Sequence, residues 1–397
     1  MTPLLIKRLK HSFLPLLTAI LLVACNAPIT VKSTTYTPLS SQTATITEAE
    51  LLDLGVLTFD PGLEELEDDD EASILPQVRN AEAHYLANQL TRTIQDSAAW
   101  GAVRLLPSAE VVTDVYVGGV IKHSDGEVLE LEISVADTSG TKLYTKTYQG
   151  LASKYAYERR QKLQRDPFQG LFNRIANDLM NWRQKLSAKD AINLRTISSL
   201  RFAQEFSPDA FAEHLQSNRK GRLSVARLPA TDDPILQRVQ RMRERDYLYV
   251  DTVQEYYDTF SRQMAEPYQI WRAESYDEVM AARDLKRQSL QRTAGGVAAI
   301  LAGIVASGSD SGAARASGAV AIGSGALLVK SGLAKKAEAQ IHIEALAELG
   351  QSLEAEVEPR IIELEDQTVT LTGNVQMQYQ QWQEILQKIY RTERGEI

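Results

Sequence analysis

Leu129, Leu131, Ile133 and Val135 alternate with Glu130, Glu132 and Ser134. Strand side chains point to opposite faces in turn, so this period of two predicts a strand with one face in a core and the other toward water. A glycine-bearing turn stands on each side, Ser124-Asp125-Gly126 before it and Thr138-Ser139-Gly140 after it. Such turns send the chain back on itself. The apolar runs 115–121 and 143–148 then supply the two neighbours. The stretch reads as a three-stranded antiparallel meander with one apolar face to be covered.

What precedes it supplies the cover. Leu54 to Phe59 is an apolar run closed by Asp60-Pro61-Gly62, a strand followed by a turn. The acidic run Glu67-Asp68-Asp69-Asp70-Glu71 lacks the alternating oxygen ligands and central glycine of a calcium loop, and reads as a solvated loop. Between Val78 and Ser97, Ala83, Leu86, Ala87, Leu90 and Ile94 recur at helical spacing. Ala102 to Leu106 is a further strand, ended by Pro107. The order is strand, helix, strand, meander. Gly55-Val56-Leu57-Thr58-Phe59, Ala102-Val103-Arg104-Leu105-Leu106, Val117-Gly118-Gly119-Val120-Ile121 and Ser134 to Gly140 carry a resemblance to a known domain. It resembles the periplasmic α/β domain shared by the amino-terminal part of TolB, the curli-secretion lipoprotein and the penicillin-binding-protein-activator lipoproteins. The resemblance implies binding to other envelope proteins, with no catalytic residues to carry over.

The remainder is mainly helical, so the expected class is α+β: a small α/β domain over 49–152 followed by a large helical region, 153–292. Phe168, Leu171, Phe172, Ile175, Leu179 and Trp182 form one apolar stripe. Ser207-Pro208-Asp209 starts a helix that Lys220-Gly221 would break, and 223–229 reads as an edge strand or an extended link. Pro234 opens a long helical stretch in which Tyr249, Val253, Tyr256 and Phe260 follow a 4-3-4 spacing, with Trp271 and Tyr276 beyond Pro267. Such aromatics could stack on sugars; their helical spacing favours a core. A C-terminal helix-hairpin-helix is expected over 338–397.

Residues 293–337 are rich in Gly and Ala and read as a helical hairpin, with arms near 294–306 and 316–329 around Ser307-Gly308-Ser309-Asp310-Ser311-Gly312. Gly295 and Gly303 lie on one repeat of four, and Gly318, Gly325 and Gly332 on a repeat of seven. Small residues so spaced let helix backbones approach closely. Each glycine costs about 1 kcal/mol in a helix relative to alanine, which calls for a compensating contact. The arms could pack on each other, on copies in a homo-oligomer, or in a bilayer. Each is shorter than the roughly 20 residues a span needs.

The chain begins with Lys7, Arg8 and Lys10, then a short apolar run from Phe13 to Ala24 interrupted by Pro15. This is the pattern of a cleaved secretory signal over 1–24. Leu22-Val23-Ala24-Cys25 resembles the lipobox of bacterial lipoproteins. That resemblance implies cleavage between Ala24 and Cys25 and a lipid on the thiol and new amino group of Cys25, the covalent lipid being the only cofactor expected. Several acyl chains together give stable anchoring. Cys25 is the single cysteine, so no internal disulfide can form. Asn26, where aspartate would favour inner-membrane retention, implies the outer membrane, with the body on its periplasmic face. Residues 25–48, rich in Ser, Thr and Pro, are expected to be a flexible tether.

The net charge of −9 argues against a nucleic-acid partner and against broad adhesion to anionic lipid. The five histidines are scattered, and no His-Glu-x-x-His, P-loop or nucleophile elbow occurs. The leading expectation is a non-enzymatic, outer-membrane-anchored lipoprotein with a structural or regulatory role, binding envelope proteins or peptidoglycan-associated machinery. Two alternatives stand beside it: an oligomeric membrane-inserting scaffold or pore component, and a peptidoglycan- or glycan-acting enzyme or synthase activator. The enzyme would need two carboxylates and an exposed aromatic in one cleft.

Overall fold

The computed structural model describes residues 36–64, 75–157, 165–306, 341, 343–351, 360–363 and 368–395. The strands are β1 (Leu54–Leu57), β2 (Val103–Leu106), β3 (Val115–Ser124), β4 (Val128–Asp137) and β5 (Lys142–Leu151). They form one sheet in the order β2-β1-β3-β4-β5. β1 runs parallel to both β2 and β3, while β3, β4 and β5 form the antiparallel meander. The alternation in β4 does what its period requires: Leu129, Leu131, Ile133 and Val135 are buried and the residues between them stay half-buried. With the helices that follow, the fold is α+β.

Helix α1 (Pro76–Asp96) lies against β1 and β2. It is followed, after β5, by α2 (Gln169–Lys185) and α3 (Ala188–Phe206), the latter capped by the Ser187 hydroxyl. α1 buries polar residues as well as apolar ones, because other helices close over its outer face. Asn88 donates to Ser261 Oγ at 2.6 Å and accepts from Gln254 Nε2 at 3.1 Å. Glu82 accepts from Tyr268 Oη at 2.5 Å and Ser124 Oγ at 2.6 Å. These pairs fix where the covering helix sits.

The helix expected from Pro208 to Lys220 is a single turn, α4 (Pro208–Phe211), followed by a hairpin of β6 (Leu215–Ser217) and β7 (Leu223–Val225). Asn218 makes the difference. Its side-chain oxygen accepts from the amides of Lys220 and Arg222, and Gly221 takes the left-handed φ of +75° that closes the turn.

The covering element is α5 (Pro234–Ala306), 73 residues and about 110 Å long. It runs through Pro267 without breaking; Met264 and Tyr268, on either side, are fully buried, so packing holds the turn whose bond proline removes. Of the residues singled out from this stretch of the sequence, Tyr249, Val253, Phe260 and Tyr276 are buried, while Tyr256 and Trp271 are half-buried and pack against the core, so the run serves mainly as core. The separate first arm expected at 294–306 is instead the unbroken end of α5, which carries Gly295 and Gly303. No turn-forming residue divides it from what precedes. Gly318, Gly325 and Gly332, the second arm, Ala24 and Cys25 lie outside the described residues. Among the described residues no helix is long and apolar enough to cross a membrane.

The expectation of a loose tether to residue 48 is corrected from Tyr36 onward. Here the chain is strapped along α2. Asn173 Nδ2 donates to the Thr37 carbonyl at 2.7 Å, Asn177 Nδ2 donates to that of Pro38 at 3.0 Å, and Asn177 Oδ1 accepts from Ser40 N at 2.8 Å. Gln184 Nε2 meets Gln42 Oε1, and Gln42 N reaches the Ser97 carbonyl at 2.8 Å. A ladder of amide side chains on one helix face thus serves a backbone that has no strand to join.

At the C-terminal side, β8 (Arg360–Glu363) pairs with β9 (Thr368–Leu371), and α6 (Val375–Glu393) packs on α5. Tyr379, Trp382, Leu386 and Tyr390 face inward. Among them Asp246 of α5, 1% exposed, accepts from Gln383 Nε2 at 2.6 Å and Tyr379 Oη at 3.3 Å. Burial pushes its carboxyl from 3.8 up to about 7. The folded chain therefore keeps a proton that the unfolded chain has lost between those values. The associated stability is full below pH 4 and fades as pH rises to 7. Asp246→Asn should remove this decline. Compared with the parent by urea denaturation, it should be about equal at pH 4 and more stable by roughly 4 kcal/mol at pH 8. A pH-independent difference would show that Asp246 is ionised in the fold.

Candidate functional site

β1, β2 and β3 run parallel and enter the sheet from one end, where the amides of Asp53, before β1, and Ala102, before β2, are met by side chains and not by strand backbone. Two aspartates satisfy them. Asp53, just before β1, accepts from Ala102 N at 2.8 Å, and Asp114, just before β3, accepts from Asp53 N at 2.9 Å. Leu54 pairs with Val115, so the two carboxylates are neighbours across the ladder.

One face of α5 closes over this end. Gln240, Arg243, Glu244 and Tyr247 repeat at intervals of three and four and so share that face. Arg243 donates through Nε and Nη2 to Tyr247 Oη at 3.1 and 2.7 Å, and through Nη2 to Ser198 Oγ of α3. Tyr247 passes its own proton to the Val112 carbonyl at 3.0 Å. Arg104, held by both oxygens of Asp251, lies 4.4 Å over the Tyr247 ring. From α3, Arg195 reaches in and is anchored to the Glu48 carbonyl. These groups enclose a cleft of about 200 Å³.

Burial raises the Asp114 carboxyl above its ordinary range, against the pull of the Asp53 amide and Arg243. Burial likewise pushes Tyr247 up to about 12. Asp114 is 2% exposed, and the Tyr247 ring is covered by a guanidinium rather than open to stack on a sugar, while Asp53 and Glu244 bring two further carboxylates to the cleft. The described histidines lie elsewhere. Burial holds His84 down at about 4 beside Thr58, Tyr257 and Phe260; His123 pairs with Asp125 at 2.8 Å; His214 meets the Arg227 carbonyl at 2.8 Å. Among the described residues no group of three His, Cys, Asp or Glu could hold a metal ion.

None of the residues singled out from the sequence lines this cleft. Gly295 and Gly303 are on the far part of α5, and the others fall outside the described residues. The cleft draws on four separate segments, which is why sequence reasoning missed it. The available signal was modest: an aspartate immediately before each of two strands, Asp53 and Asp114, and an Arg-Glu-Tyr set at one face of a long helix. No family model, curated protein or solved structure matches the chain.

Proposed function

We propose that this chain is an outer-membrane-anchored lipoprotein whose folded body has a structural or regulatory protein-interaction role in a cell-envelope assembly. The observation that carries the reading is Leu22-Val23-Ala24-Cys25, placed directly behind a basic segment and a short apolar run. The form of the body supports it. A sheet domain with a helix of about 110 Å laid across it offers a long, stiff frame for contacts with other proteins.

Replacement of the anchor tests this directly. Cells expressing the chain and supplied with radiolabelled palmitate should label it, and it should sediment with membranes. Cys25→Ser should lose the label and move to the soluble fraction. An unlabelled parent chain, or a serine variant that sediments as before, would remove the lipid anchor from the proposal.

A further inference from the structure

We propose that the cleft between Asp53 and Arg243 binds a small dipolar molecule carrying a carboxylate and an ammonium group a few atoms apart, the chemistry of a free α-amino acid. The inference goes beyond the lipoprotein reading and does not depend on it.

The walls carry both signs of charge; Arg243 feels the nearby carboxylates of Asp114 and Asp53 but closes an ion pair with neither. Among the described residues none of Asp53, Arg195, Arg243 or Glu244 makes an ion pair within 4 Å, although all four line one cleft. Their hydrogen bonds leave specific atoms open. Arg243 uses Nε and Nη2 but not Nη1, Arg195 uses Nη1 alone, and Asp53 uses Oδ1 but not Oδ2. With Nε and Nη2 spent on Tyr247 and Ser198, the guanidinium is held in place and keeps Nη1 as a fixed, charged donor for a carboxylate oxygen. Asp53 Oδ2, fixed through its partner oxygen, is an acceptor for an ammonium, and Glu244 adds a second negative charge on the exposed side.

The two signs together select the ligand. A simple anion would meet Asp53 and Glu244, and a simple cation would meet Arg195 and Arg243. Only a molecule carrying both charges is matched on both walls. The size fits as well. About 200 Å³ is the liquid volume of about seven waters, enough for an amino acid. Because the walls are already ordered by the strand ends and by α3, little is lost in organising them on binding.

The test uses the full-length protein and two sets of probes. Glycine, L-alanine and L-glutamate are dipolar; acetate and ethylammonium carry one charge each. Binding is followed by ligand-observed saturation-transfer NMR and by thermal shift. At least one dipolar probe should bind saturably and raise Tm, while the single-charge probes should do neither. Glu244→Gln and Arg195→Gln should each weaken that binding about tenfold or more while leaving the ligand-free Tm close to the parent value. Absence of binding by all three dipolar probes overturns the proposal. Acetate binding as tightly as glycine overturns it in favour of a plain anion site. Binding unaffected by both substitutions places the ligand elsewhere and also overturns it.

Discussion

Gly126→Ala should destabilise the protein by about 4 kcal/mol or more, near the upper end for a single substitution. Gly126 sits in the turn between β3 and β4 with φ at +80°. The left-handed conformation alone costs a non-glycine residue about 1–2 kcal/mol. The larger part comes from α5. A methyl group at Gly126 would overlap the carbonyl oxygen of Arg272 and lie 2.9 Å from the amide nitrogen of Tyr276, both in helix backbone that cannot swing aside. The turn is a socket for that helix: Ser275 Oγ donates to the Asp125 carbonyl at 2.8 Å, and Tyr157 Oη to that of Gly126 at 2.5 Å. Gly221→Ala is the matched control. Gly221 has nearly the same φ, +75°, but nothing lies within 4 Å of the added methyl, so only the conformational cost of about 1–2 kcal/mol should appear. Equal losses in the two variants, measured by chemical denaturation, would mean that the helix is not seated on the turn.

Arg272→Met should cost about 3–5 kcal/mol, the range for breaking a buried ion pair by removing one partner. Arg272 is fully buried and meets Asp166, itself 6% exposed, at 2.7 Å. Its guanidinium lies 3.9 Å from the centre of the Tyr268 ring and 4.9 Å from that of Phe168, and its Nε and Nη2 have no hydrogen-bond partner, leaving the ring faces to serve them. Methionine fills much of the same space but strands the Asp166 carboxylate beside the remaining Gln269 and the Phe168 amide. The loss should therefore be mostly electrostatic. Adding Asp166→Asn to Arg272→Met should recover a good part of it. If the double variant is no more stable than the single one, the ring contacts and not the ion pair hold this end of α5.

What the sequence made legible follows from how local each cause is. The β4 alternation is legible because burial of one face needs nothing but the period of the strand. The same holds for α1 and for the stripe from Phe168 to Leu179. The strap at 36–42 was not legible, because its partners Asn173 and Asn177 stand more than a hundred residues away and look like ordinary exposed helix positions. The α4 turn was hidden for a related reason: Asn218 decides it by side-chain acceptance that no periodicity reports. The cleft is the extreme case, since β1, β3, α3 and α5 each bring only one to a few of its residues and their charges acquire meaning only side by side.

The strap along α2 also sets a length. Were the chain free to residue 47, a lipid on Cys25 would leave the body some 75 Å of contour in which to wander. With Tyr36 already fastened, the residues between, 26–35, allow about 35–40 Å at full extension. The leash is short, and it is tied beside α2, near the open edge of the sheet at β5. A lipid on Cys25 would therefore hold the body within about 35–40 Å of its point of attachment.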